Sequence, residues 1–191
     1  MVVRSLYVER MRAILLPTGT SNEALHVAED FYGSGDMGAV CAFIEHTYFT
    51  VLANRDYRWT NELSIKIIFL TLLYNARLYI MDSEPAVQRE YADLVMRRRP
   101  EMRRFEIFDF LLEFKYVSLA DIGKSGEAVR GMSVDDLTAL PAVAAKRADS
   151  YKKLAGYRDT LLATYGEELQ LRCYSVVAVG YERLVWVEMQ G

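Results

Sequence analysis

Three residues of this 191-residue chain have the types and spacing to do chemistry together: Asp93, Glu113 and Lys115. They lie in REYADLVMRRRPEMRRFEIFDFLLEFKYVS, residues 89–118, which reads as a β-hairpin. The first arm, Tyr91 to Met96, ends in a basic turn, Arg97–Arg98–Arg99–Pro100. The second, Phe105 to Val117, is apolar apart from Glu106, Asp109, Glu113 and Lys115. Side chains alternate along a strand, so Asp109, Leu111, Glu113 and Lys115 share one face. A carboxylate and an ammonium within an apolar strand are costly unless paired or used, and Asp93 on the other arm is placed to reach the same spot. Carboxylates of this kind can hold a divalent cation, and a lysine beside them can orient a water and offset developing negative charge. Two further acids are candidates: Glu62, which opens an apolar helix, and Glu84, which follows a strand. Two such charges ~4 Å apart repel by about 4 kcal/mol at an effective dielectric near 20, so a true cluster requires a bound cation or a raised carboxyl pKa. The plain alternative is a polar row on a solvated sheet, with Asp93 capping the turn or pairing with an arginine.

The surrounding elements can be read from periodicity and caps. Val2 to Leu16 has helical spacing and stops at Pro17. Ser21 or Asn22 can cap a helix over Glu23 to Tyr32, and Asp36 one over Met37 to Leu52. Thr60 or Asn61 can cap the strongly apolar Glu62 to Leu73. Ala76 to Asp82 is a candidate strand, interrupted before the hairpin by Pro85. Leu119 to Ser133 carries glycines and polar residues and reads as a loop. Val134 to Tyr165 is helical, with expected breaks at Pro141 and near Gly156. Leu169 to Val179 and Arg183 to Met189 are β-branched, aromatic strands about a turn at Gly180–Tyr181–Glu182. The sum is an α/β chain: four helices, three strands, a helical crossover and two strands.

Composition narrows the options. Apolar residues are 52% and charged residues 26%, which excludes extended disorder. A net charge of −3 excludes a basic coat for nucleic acid and leaves only local patches. Cys41 and Cys173, the only cysteines, are far apart, and His26 and His46 are the only histidines. That excludes a disulfide scaffold and Cys- or His-rich metal sites and suits a reducing compartment. The longest apolar run, Ile65 to Tyr74, carries Lys66 and is too short to cross a bilayer. The expected location is the cytoplasm.

An Asp followed by Glu-x-Lys across a hairpin, within a helix–β–β–β–helix–β run, resembles the PD-(D/E)xK nuclease superfamily. The stretches FIEHTYFTVLANRDYRWTNELSIKIIFLTLLY, LYIMDSEP, YADLVM and LLEFKY are similar to the C-terminal nuclease-like domain of bacterial AAA-ATPase-like proteins. The likeness covers residues 40 to 190. It implies a restriction-endonuclease-like mixed sheet flanked by helices, with an N-terminal helical section at 1–58 and the nuclease-like domain at 59–191. It also implies Mg²⁺ or Mn²⁺ held by Asp93 and Glu113, Lys115 facing water and phosphate, and Glu62 as a fourth catalytic residue. The implied activity is metal-dependent cleavage of nucleic-acid phosphodiesters; the alternative is a weak or inactive module that binds nucleic acid or regulates an ATPase. Implied partners are nucleic acid, DNA foremost, an AAA-ATPase domain or subunit, and a second copy of the chain. Ala92 stands where the name-giving proline would be, and the glutamine of the helix after the lysine strand has no clear counterpart.

Two other signals compete for attention. Arg97, Arg98 and Arg99 of the turn, with Lys124, are candidate phosphate contacts, and Lys146, Arg147, Lys152 and Lys153 on the crossover helix could extend them; a solvated turn is the competing reading. Gly123–Lys124–Ser125 suggests a P-loop, but Ser118 stands where its first glycine is needed, so a flexible loop is expected.

Overall fold

The structure is a computed structural model that describes residues 19–52, 61–82, 86–87, 90–91 and 93–189. The candidate opening helix, the Thr60 cap, Glu84, Pro85, Ala92 and the expected boundary at 58/59 lie outside these residues. Helix α1, Ser21–Ser34, begins after Thr20, two residues before the expected start at Glu23, and closes on Gly35 in the left-handed region at φ 69°. Asp36 caps α2, Met37–Phe43, by accepting from the Ala39 amide. This helix passes into a π-helical turn, Ile44–Phe49, and a last α-turn, Thr50–Leu52. Asn61 caps α3, Glu62–Leu73, by accepting from the Ser64 amide.

Five strands form a mixed sheet. In chain order they are β1 (Tyr79–Asp82), β4 (Leu94–Arg98), β5 (Asp109–Val117), β6 (Leu171–Val179) and β7 (Arg183–Met189). They are neighbours in that order, while the short β2 (Ala86–Val87) and β3 (Glu90–Tyr91) pair only with each other. The hairpin is real, but its first arm starts later than expected, with Leu94 opposite Leu112. β5 and β6 run parallel with Glu113 opposite Ser175, and every other neighbouring pair is antiparallel. A parallel pair needs a crossover, here α7, Pro141–Tyr165, which starts on proline as its fixed φ allows. The expected break at Gly156 does not occur: α7 runs through it, since one glycine costs a helix interior about 1 kcal/mol and Leu154, Tyr157 and Leu161 on either side are packed in the core.

Residues 119–133 are not a loop. They hold α4 (Leu119–Ile122) and α5 (Gly126–Arg130), before α6 (Val134–Ala139). Ser118, Ser125 and Ser133 each cap one by accepting an amide three residues on, and Ser118 with Asp121 forms a reciprocal box. Gly123 is the left-handed C-cap of α4, not part of a phosphate loop.

The two faces of the sheet are built differently. Phe110, Leu112 and Phe114 of β5 pack with Phe31, Tyr48, Phe69 and Tyr174 into one large core that takes in α1, α2 and α3. The opposite face, under α7, is split. Leu111 and Cys173 pack with Leu154, Tyr157 and Leu161 in one cluster; Val117, Val177 and Val179 pack with Val143 in another. Glu113 and Lys115 lie on β5 between the two.

Candidate functional site: a carboxylate and lysine cluster beneath the crossover helix

The opposite apolar face of β5 fixes Glu113 and Lys115, which are 1% and 3% exposed. The Lys115 ammonium donates to Glu113 Oε1 at 2.8 Å and to the Phe114 carbonyl at 3.0 Å. Asp93, just before β4, accepts from the Phe114 amide at 2.8 Å, which anchors its carboxylate beside the same segment of β5. Glu62 comes from the first turn of α3 and lies 3.5 Å from Lys115 Nζ. The four residues singled out in the sequence, Glu62, Asp93, Glu113 and Lys115, therefore meet, from three separate segments.

Two more lysines complete the cluster. Lys66, a turn after Glu62 on α3, lies 3.7 Å from Asp93 Oδ1. Lys153 of α7 reaches Glu113 Oε1 at 3.6 Å from a half-exposed position. Lys66 had a sequence signal: it is the lone cation of an apolar helix, four residues after an acid, a spacing that puts both on one face. Lys153 had only its place in a basic run, since its reach to Glu113 depends on how α7 crosses the sheet.

Burial pushes the Glu113 carboxyl up to about 7, repulsion from Asp93 adds to this, and Lys115 and Lys153 oppose it. Burial lowers the Lys115 ammonium, but its hydrogen bond and attraction to Glu113 outweigh that and leave its pKa raised. Lys115 therefore stays charged where Glu113 titrates. A carboxyl raised in the fold makes its favourable contribution below its unfolded value and loses it as pH rises through about 7. Glu113 Oε2 is buried and has no hydrogen-bond partner.

This donor set suits a hard cation. Among the described residues no three His, Cys, Asp or Glu side chains converge as a ligand group. Two carboxylates, one with a spare buried oxygen, match Mg²⁺, which takes one or two carboxylates and keeps several waters. Asp93 and Glu113 would hold it. Binding requires the Glu113 carboxylate, so Mn²⁺ affinity should rise about tenfold between about pH 6 and about pH 8, following ionisation near 7. Calorimetry at the two pH values checks this, and a flat profile would remove Glu113 from the ligand set.

The basic turn is elsewhere and otherwise employed. Arg98 is buried: its Nε donates to Asp109 Oδ2 at 2.9 Å, and its other nitrogens reach Gln170 Oε1 and the Glu168 carbonyl. Arg97 pairs with Asp82 and stacks over Tyr165, and Arg99 donates to the Ala76 carbonyl. Arg98 is thus an interior anchor rather than a phosphate contact or a solvated turn residue. Asp109 precedes Glu113 by four residues of strand, roughly 13 Å. Lys124 is exposed just beyond α4, past the other end of β5.

No helix among the described residues is long and apolar enough to cross a membrane. No protein-family model matches the chain, and no curated protein or solved structure is significantly similar to it.

Proposed function

We propose that the chain is a metal-dependent nuclease with a restriction-endonuclease-like fold, hydrolysing nucleic-acid phosphodiesters at the Glu62–Asp93–Glu113–Lys115 cluster. The single observation that carries the reading is the meeting of Asp93, Glu113 and Lys115 beside Phe114, with Glu113 Oε2 left for a further partner. Mg²⁺ or Mn²⁺, when bound, supplies a polarised water and charge neutralisation at the phosphate. Lys115 supplies a fixed ammonium for that water and for the charge that develops on the phosphoryl oxygens. Glu62, across from Lys115, orients the ammonium. Lys153 and Lys66 hold the carboxylates compensated before a cation arrives.

Digestion of plasmid and of single-stranded DNA and RNA, with and without Mg²⁺ or Mn²⁺, tests the reading. Cutting by the wild type that needs the cation and disappears in Asp93→Ala is the expected result. Cutting that survives Asp93→Ala, or no cutting of any substrate, would remove the enzymatic claim.

A second reading has its own observation. Three lysines already face the three carboxylates, a balance that a purely structural or regulatory module would also show. Such a module would bind nucleic acid or regulate an AAA-ATPase partner. Micromolar Mn²⁺ affinity that Asp93→Ala abolishes favours the enzyme; absence of affinity favours the module.

A further inference from the structure

The interior under α7 contains polar atoms that the cluster does not account for. Ser150 on α7 and Ser175 on β6 are 0% and 1% exposed, and neither hydroxyl has a hydrogen-bond partner. Ser175 is the register neighbour of Glu113, whose Oε2 is in the same condition. On β6, Cys173 belongs to the cluster with Leu154, and Val177 to the cluster with Val143. Ser175 therefore falls in the gap between them, on the α7 face. Ser150 lies between Val143 and Leu154 on the buried stripe of α7, over the same gap. Arg147 Nε, a turn earlier, is a fourth buried atom without a partner.

Buried polar atoms are almost always satisfied. Orphans on facing elements between two apolar clusters are the setting of an internal hydration site, and a buried water typically makes about three hydrogen bonds. We propose that ordered water is enclosed between α7 and the sheet, bonded by Ser150 Oγ, Ser175 Oγ and Glu113 Oε2, and that Ser150 and Ser175 are positioning residues for the Glu113 carboxylate. A carboxylate oxygen has two lone pairs, so Oε2 can accept from this water and still face a cation. The water stands without the metal reading; only its effect on cation affinity rests on that reading.

Water-selective NOE spectroscopy and thermal melts of Ser150→Ala, Ser175→Ala and the double variant test this. A long-lived water should give a cross-peak to the amides around Ser175 that the double variant loses. Each single variant should melt roughly 2–4 °C lower, and the double variant should lose less than the sum, because both hydroxyls hold the same water. Absence of the cross-peak would overturn the proposal, as would a rise in melting temperature for either single variant, the result for a dry unsatisfied hydroxyl. Ser175→Ala should also weaken Mn²⁺ binding severalfold. Unchanged Mn²⁺ affinity beside a visible water would overturn the positioning role. A wild type that binds no Mn²⁺ would sink the metal reading, while the cross-peak and the melts would still decide the water.

Discussion

Asp109→Ala will destabilise the protein by about 3–5 kcal/mol, the range for breaking a buried ion pair from one side. Asp109 and Arg98 are 1% and 5% exposed. One carboxylate serves three donors: the Arg98 amide at 2.6 Å, Arg98 Nε at 2.9 Å and the Gln170 amide at 3.0 Å. It thereby ties together β4, β5 and the segment that leads from α7 into β6. Without it, the Arg98 guanidinium remains buried with only its contacts to Gln170 and Glu168, and two backbone amides lose their acceptor. For a chain of this size the expected fall in melting temperature is on the order of 10 °C. Arg98→Met with Asp109→Leu should recover most of the loss, since replacing both charges removes the desolvation cost along with the attraction. Chemical denaturation of the single and double variants decides it. A single-variant loss below roughly 1 kcal/mol would show that water reaches the pair.

The same pair shows what a sequence reveals about this fold and what it withholds. Arg98 and Asp109 were visible as charges in an apolar hairpin, but Arg98 read as part of a basic turn. Only the register, with Met96 opposite Phe110, brings it back over Asp109. Elements with a strong local signal were legible: α3 starts where Asn61 caps an apolar run, and β7 matches its β-branched stretch. Residues 119–133 were not, because their glycines outweighed the serine caps that start three short helices there. The site followed the same division. Asp93, Glu113 and Lys115 share one hairpin, so strand alternation and pairing were enough to bring them together. Lys153 and the two buried serines lie where α7 crosses the sheet, a placement set by packing between Leu154 and Val143 rather than by local spacing.

On the proposed nuclease reading, Lys115→Met lowers phosphodiester cleavage by about 10²–10³-fold, the effect of removing one preorganised group that stabilises developing charge. Methionine matches the apolar stem of this buried side chain and lacks only the terminal ammonium, so packing changes little. The charge change is what matters, and it acts on two quantities in opposite directions. The ammonium 2.8 Å from Glu113 Oε1 competes with any cation for that carboxylate. Removing it leaves, among the described residues, only Lys153, at 3.6 Å, to compensate Glu113 and pushes its carboxyl further up, so the comparison belongs at a pH high enough to ionise Glu113 in the variant, where Mn²⁺ should bind at least as tightly as in the wild type. Cleavage would then fall while cation affinity holds or rises, a split that unfolding cannot produce, because unfolding would abolish both. Measuring cleavage rate and Mn²⁺ affinity on one preparation separates the cases. If both fall together with an intact melting transition, Lys115 holds the carboxylates in place rather than acting on the substrate. If neither changes, the reacting groups lie elsewhere on the chain, and Lys115 is only the counter-charge that keeps Glu113 buried.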